Sequence, residues 1–297
     1  MSILQKGDKV GIIAPSSGLG DNKEDVLRKI FSQIGLKVVL AKNIKTKYRY
    51  MAGSDGIRAD AFNKMVDNDE IKALFCLRGG AGASRMIDKI DYKQLHDNHK
   101  IIIGLSDATA LQNAALTMAK NPCLSGFLPI YDSKEGVVNA FMLKELKSAL
   151  FDDEHNIKSG SCCVKGECEG EIVGGCLSVF NLLCGTKYFP NLKGKILLLE
   201  EIGEKTYKID LWLNQLKQQH GFNEIKGIIL GNFKNCKIKD ADDGSIDDCI
   251  NDFVRDLSVP VIKDFAYGHI TKRHIVPLGI KVKMKSQKDG CSLYWKS

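Results

Sequence analysis

Ser106 is the side chain in this sequence best placed for covalent chemistry. It lies in KIIIGLSDATAL, residues 100–111, where an apolar β-branched run passes through Gly104, Leu105, Ser106, Asp107 and Ala108 into a helical pattern. A serine on such a strand-to-helix turn has the geometry of a nucleophile elbow, its hydroxyl exposed and its small neighbours relieving crowding. The backbone N–H after the serine, at the helix N-terminus, then points toward a developing oxyanion. The same residues also have a plainer use, because serine and aspartate most often stand there as helix caps.

A second loop, Leu77, Arg78, Gly79, Gly80, Ala81 and Gly82, also follows an apolar strand. Its glycines permit a close approach at which several N–H groups converge on an oxyanion, a carboxylate or a phosphate. The loop lacks the Lys-Ser/Thr ending of a P-loop and the spacing of a dinucleotide fingerprint. A tight turn with Arg78 on the surface is the alternative.

A serine nucleophile needs a base, and histidine is the usual one because its pKa lies near neutrality. Of six histidines, His96, His99 and His155 lie in polar stretches that read as solvated surface, and His220 ends a helical pattern. His269 and His274 flank the loop YGHITKRH, residues 267–274, and are the two candidates; function concentrates on such loops. A carboxylate must orient the imidazole. The apolar strand KILLLEE, residues 195–201, ends in Glu200 and Glu201, with Glu204 and Asp210 as competitors. Burial at a strand end makes an unpaired carboxylate costly, which marks it for a partner.

Other chemistries fit less well. Cys162, Cys163 and Cys168 have no C-x-x-C spacing and no paired second half, so they read as loop thiols rather than zinc ligands. The acidic run DADDGSIDD, residues 240–248, lacks the ligand alternation of a calcium loop and reads as a helix-capping segment. No metal and no cofactor is expected.

These residues must be positioned by a scaffold, and the periodicity supplies one. Strands are predicted at 9–14, 37–41, 71–77 and 100–105, separated by helices through Val26–Leu36, Arg58–Val66 and Ala83–Ile90 and followed by one over Ala108–Ala119. Alternating strands and helices predict an α/β fold, a parallel-sheet Rossmann-like or flavodoxin-like N-terminal domain over residues 1–140. Residues 141–169, polar and rich in Gly and Cys after a charged helical piece, are expected to form a linker. Strands at 171–174, 195–202, 225–231 and within 281–294, with helices at 177–184 and 209–220, predict a mixed β/α C-terminal domain over 170–297.

Composition agrees with two cores. The chain has 297 residues, 44% hydrophobic and 27% charged, with only 6 prolines, so it exceeds the usual size of a single core and is no disordered or fibrous chain. No apolar window approaches the roughly 20 residues of a membrane span, and the N-terminus has no secretory apolar region, so a cytoplasmic protein is expected. Ten cysteines without an export signal are expected to be reduced. The charge of +7 is spread over scattered lysines rather than a basic stripe, which argues against nucleic acid as a partner.

Taken together these segments resemble the LD-carboxypeptidase family of serine peptidases, which includes the microcin C immunity peptidases. The resemblance runs almost end to end: Gly7-Asp8-Lys9-Val10 to Ala14-Pro15-Ser16-Ser17-Gly18, Ala73 to Gly80, Gly104-Leu105-Ser106-Asp107, Gly174-Gly175, Leu199-Glu200-Glu201-Ile202 with Tyr207, and Gly268-His269 before Pro277-Leu278-Gly279. It implies a triad of Ser106, Glu200 and His269, Ser106 from the first domain and the other two from the second. It also implies oxyanion donors at the N–H groups of Gly80 and Asp107, a homodimer, and release of the C-terminal D-alanine from a murein tetrapeptide. Arg78, beside the oxyanion loop, is the residue expected to bind a substrate carboxylate. The chain departs from the family where Cys176 replaces a common asparagine and where Glu201 replaces an aspartate. The segment after Glu201 carries no aromatic insertion for stacking on a nucleotide, which favours the cell-wall branch over a peptidyl-nucleotide substrate. The non-enzymatic rival is an α/β cleft that holds a small anion, with Ser106 as a cap.

Overall fold

The computed structural model describes residues 3–20, 23–238, 240 and 243–297. Along the first part of the chain the elements are β1 (Lys9–Ile13), α1 (Glu24–Ile34), β2 (Lys37–Leu40), α2 (Asp55–Asp67), β3 (Ile71–Cys76), α3 (Ala83–Met86), α4 (Tyr92–Asn98), β4 (Ile101–Gly104), α5 (Ala108–Ala119) and β5 (Cys123–Ser125). A two-residue hairpin, β6 (Ser133–Lys134) and β7 (Val137–Val138), leads to α6 (Ala140–Phe151). Then come β8 (Glu154–Lys158), β9 (Ser161–Val164), β10 (Gly166–Cys176), α7 (Leu177–Asn181), β11 (Ile196–Ile202), α8 (Thr206–Lys217), β12 (Gly227–Lys234), α9 (Ile246–Val254) and β13 (Val261–Lys263). The last strands are β14 (Val276–Leu278), β15 (Lys281–Gln287) and β16 (Gly290–Lys296).

These elements form two units, one of residues 1–153 with 274–279 and 297, the other of residues 154–273 with 280–296. The first contains a six-stranded sheet in the order β14-β5-β4-β3-β1-β2, parallel except for β14. The order 2-1-3-4-5 is that of a flavodoxin-like doubly wound fold, in which ligands bind beyond the carboxyl ends of the strands where the winding reverses, here between β1 and β3. Helix α1 packs Leu27, Ile30, Phe31 and Ile34 inward at helical spacing and stops at Gly35 in the left-handed region. Phe31 meets Phe75 edge to face at 4.9 Å, and Phe75 meets Phe127 at 6.3 Å. Truncating a buried phenylalanine of this stack to alanine costs about 3–5 kcal/mol.

The second unit holds an eight-stranded sheet, β8-β16-β15-β10-β11-β12-β13-β9, parallel from β10 to β13 and antiparallel toward both edges. Its central strand β11 reads Ile196-Leu197-Leu198-Leu199 without alternation because both faces are covered.

The α/β class with a mixed second domain follows the sequence expectation. Several details differ. The stretch 141–169, expected as a linker, is taken up by α6, β8, β9 and the start of β10, and residues 274–279 return to the first unit. Cys162, Cys163 and Cys168 are therefore strand residues, half-buried, rather than loop thiols. His155 is buried, its ring stacked 4.6 Å from Trp295, because β8 pairs with β16 and sets the two residues opposite each other. The helix expected from Ala83 to Ile90 is one turn of α3 followed by a 3₁₀ turn at Ile87–Lys89. The acidic run does cap a helix: Ser245 and Asp248 form a capping box at α9, while Ala241 and Asp242 of that run lie outside the described residues.

Candidate active site

Ser106 stands between β4 and α5 with φ of 65°, a left-handed conformation rare for a residue with a side chain and the signature of a strained elbow. The turn depends on Gly104, where a Cβ would lie 2.5 Å from the Cβ of Ala108 and 3.2 Å from Cys76 Sγ. The hydroxyl faces the glycine loop, since a Cβ on Gly79 would lie 3.0 Å from Ser106 Oγ. Gly79 thus keeps open the space beside the serine.

Neither Ser106 nor Asp107 caps α5, which begins without a side-chain hydrogen bond. The Asp107 carboxylate is buried and committed elsewhere: it accepts from Ser16 Oγ at 2.5 Å and from Ala83 N at 2.8 Å. Burial pushes this carboxyl up from the ordinary aspartate range, opposed by the Ser16 hydroxyl, by backbone N–H groups of Ala83 and Gly82, and by the charge of Arg58. Among the described residues no acceptor meets the N–H of Asp107 or of Gly80. Arg78 is exposed at the start of the loop.

In the second unit, β11 ends in two glutamates with different environments. Glu200 is fully buried and its Oε2 lies 2.8 Å from His269 Nδ1. Its Oε1 is buried without a hydrogen-bond partner among the described residues, a costly arrangement that functional sites tolerate better than cores do. Room for this carboxylate comes from Gly268, whose φ is 110° and where a Cβ would meet Glu200 Oε2 at 2.5 Å. The His269 carbonyl accepts from Lys234 Nζ at 2.9 Å, which fixes the loop that carries the imidazole.

Glu201 serves the framework. Its carboxylate accepts from Ser178 N at 2.7 Å and Ile202 N at 2.9 Å, and Cys176 Sγ donates to it at 3.5 Å. Burial pushes Glu201 up, against these backbone hydrogen bonds. Glu204 pairs with Lys208 at 2.9 Å, and Asp210 is exposed. His274, the other candidate base, belongs to the first unit and pairs with Glu145 at 2.8 Å. The structure therefore brings Glu200 and His269 together, and groups Ser106, Asp107, Gly79 and Gly80 in the first unit.

Two residues of this region had no role assigned from the sequence. Arg58 is read there only as a helix residue, yet its guanidinium is fully buried and donates to Pro15 O, to Gly82 O at 2.6 Å and to Gly53 O at 3.2 Å. Ser16 is likewise buried, as a partner of Asp107. A cation in the first turn of α2, far in sequence from any strand, gives no local cue to its partners; the one available signal was that Arg58 falls on the apolar stripe with Ala61, Phe62 and Met65.

The first unit is flavodoxin-like and carries a serine on a strand-to-helix elbow, and the second is a mixed-sheet unit that carries a carboxylate-bound histidine. The chain belongs to the LD-carboxypeptidase family: the family's N-terminal domain matches residues 10–126 and its C-terminal domain residues 169–284. It is 32% identical to a probable murein peptide carboxypeptidase of Bacillus subtilis (strain 168), over 95% of this chain and 90% of that protein. Among solved structures, muramoyltetrapeptide carboxypeptidase from Oxalobacter formigenes matches with a TM-score of 0.87 at 25% identity, covering 97% of this chain and 99% of the other. An MccF-like protein from Bacillus anthracis str. Ames matches with the same TM-score of 0.87 and 25% identity, covering 99% of this chain and 98% of that one.

Proposed function

We propose that this carboxypeptidase is of the serine type and releases the C-terminal D-alanine from murein tetrapeptides. The observation that carries the reading is the buried Glu200–His269 pair at 2.8 Å in a chain whose Ser106 occupies a strained elbow. In this mechanism His269, held by Glu200 through Nδ1, takes the proton of Ser106 as Oγ attacks the carbonyl preceding D-alanine. The oxyanion rests on the N–H groups of Asp107 and Gly80. His269 then protonates the leaving amine, D-alanine departs, and water activated by the same imidazole hydrolyses the acyl-enzyme and restores Ser106. Arg78 receives a substrate carboxylate. The working form in this reading is a cytoplasmic homodimer. No residue of the mechanism calls for a metal or cofactor.

The name of the 32%-identical relative supports murein peptide over a peptide–nucleotide conjugate. The test is release of D-alanine from murein tetrapeptide by the full chain and by Ser106→Ala. The reading expects turnover by the wild type and a loss of about 10⁴-fold or more in the variant. Turnover of a peptide–nucleotide conjugate instead of the tetrapeptide would reassign the substrate, and an active Ser106→Ala would sink the mechanism.

A further inference from the structure

We propose that Arg58 is a positioning residue of the active site, fixing the glycine loop so that the Gly80 N–H stays in register with the Asp107 N–H. The proposal rests on the serine-peptidase reading and deepens it.

Arg58 and Asp107 grip the same two pieces of chain from opposite electrostatic ends. The Arg58 guanidinium donates to the carbonyls of Pro15 and Gly82. The Asp107 carboxylate accepts from the very next residues, Ser16 Oγ and Ala83 N. Segment 15–16 leaves β1 and segment 82–83 closes the loop that leaves β3, so both grips fall at the reversal point of the sheet winding. Gly53 O, ahead of α2, is a third carbonyl on Arg58.

Packing does not explain this arginine. A fully buried guanidinium is costly unless its donors are used, and an apolar side chain of similar volume would fill the space at less cost. Its carboxylate partner, Asp55, is shared with the exposed Arg85. What Arg58 supplies that methionine cannot is a planar fork that binds carbonyls of separate loops at once. Loop 82 is shaped for it: a Cβ on Gly82 would stand 3.2 Å from Arg58 Nη1 and 2.8 Å from Met51 Sδ. Because Asp107 follows Ser106 directly, the grip ties the glycine loop to the residue beside the nucleophile.

The experiment uses Arg58→Lys and Arg58→Met in the full chain, measuring kcat and KM for D-alanine release together with hydrogen exchange of residues 78–83. The expected result is a loss of about 10²-fold in kcat, the usual effect of removing one oxyanion donor, with KM changed less than about threefold. Exchange in 78–83 should rise at least about tenfold, in Arg58→Lys as well, since ammonium keeps the charge but not the fork. Where Arg58→Met shows no cooperative melt, Arg58→Lys carries the reading. Unchanged exchange, or a KM rise at constant kcat, overturns the proposal. If the wild type itself releases no D-alanine while the exchange result holds, the peptidase reading fails and the grip on the loop stands.

Discussion

His269 Nδ1 lies 2.8 Å from Glu200 Oε2, across 69 residues of sequence, in space that a side chain at residue 268 would crowd. A carboxylate in that position selects the tautomer with the proton on Nδ1 and leaves Nε2 as the basic nitrogen. The neighbouring Glu201 points into backbone N–H groups of Ser178 and Ile202. Adjacent identical residues thus have separable roles.

Glu200→Gln should therefore lower kcat by about 10⁴-fold, the loss seen when the orienting carboxylate of a triad is neutralised. Glu201→Gln should leave kcat/KM within about fivefold and lower the melting temperature, because one buried acceptor of two N–H groups is weakened. Steady-state kinetics and thermal melts on both variants check this, and an inverted pattern would assign the orienting role to Glu201.

The two histidines left open by the sequence separate in the same way. His269→Asn should cost about 10³-fold or more in turnover, whereas His274→Asn, which removes a pair with Glu145 in the first unit, should keep kcat within about threefold. Equal losses in both variants would contradict the assignment.

Gly79→Ala and Gly268→Ala test the steric basis of the site. Gly79 has no positive φ, so alanine there leaves the backbone unstrained while setting a methyl about 3.0 Å from Ser106 Oγ. Activity should fall about 10²-fold or more with little change in melting temperature. Gly268→Ala meets both a φ of 110° and Glu200 Oε2, and should lose activity and also about 1–3 kcal/mol of stability. Measuring both quantities for both variants distinguishes the cases.

Asp107 gives a pH dependence of definite sign. Burial raises its folded-state pKa above the ordinary value of 3.8, so the folded protein binds the proton more tightly than the unfolded chain does. This group's contribution is fully favourable below pH 3.8 and is lost as pH climbs from there through the raised folded value. Asp107→Asn cannot ionise, so its stability relative to wild type should improve as pH rises through that window, in denaturant titrations at a series of pH values. A stability difference constant with pH would contradict the prediction.

Much of this was legible locally. The elbow at 100–111, the glycine loop after β3 and the run of leucines in β11 announce themselves by period and by glycine placement, and their elements fall within a few residues of expectation. What stayed hidden depends on partners far away in the chain. Nothing around His155 indicates Trp295, and nothing around Arg58 indicates Pro15 or Gly82. The stretch 141–169 reads as a linker because its strands, β8 and β9 at the two edges of the sheet and the polar start of the central β10, lack an apolar run of their own. Asp107 resembles a cap in sequence, and only the fold shows its carboxylate turned to Ser16 and Ala83.

The central claim, that Ser106 is the nucleophile, is tested most directly by treating the full chain with a fluorophosphonate and mapping the adduct by peptide mass spectrometry. The account predicts a single phosphonylated residue, Ser106, with labelling abolished in Ser106→Ala and slowed at least about 10²-fold in His269→Asn. Absence of an adduct on Ser106, or labelling that persists in Ser106→Ala, would contradict it.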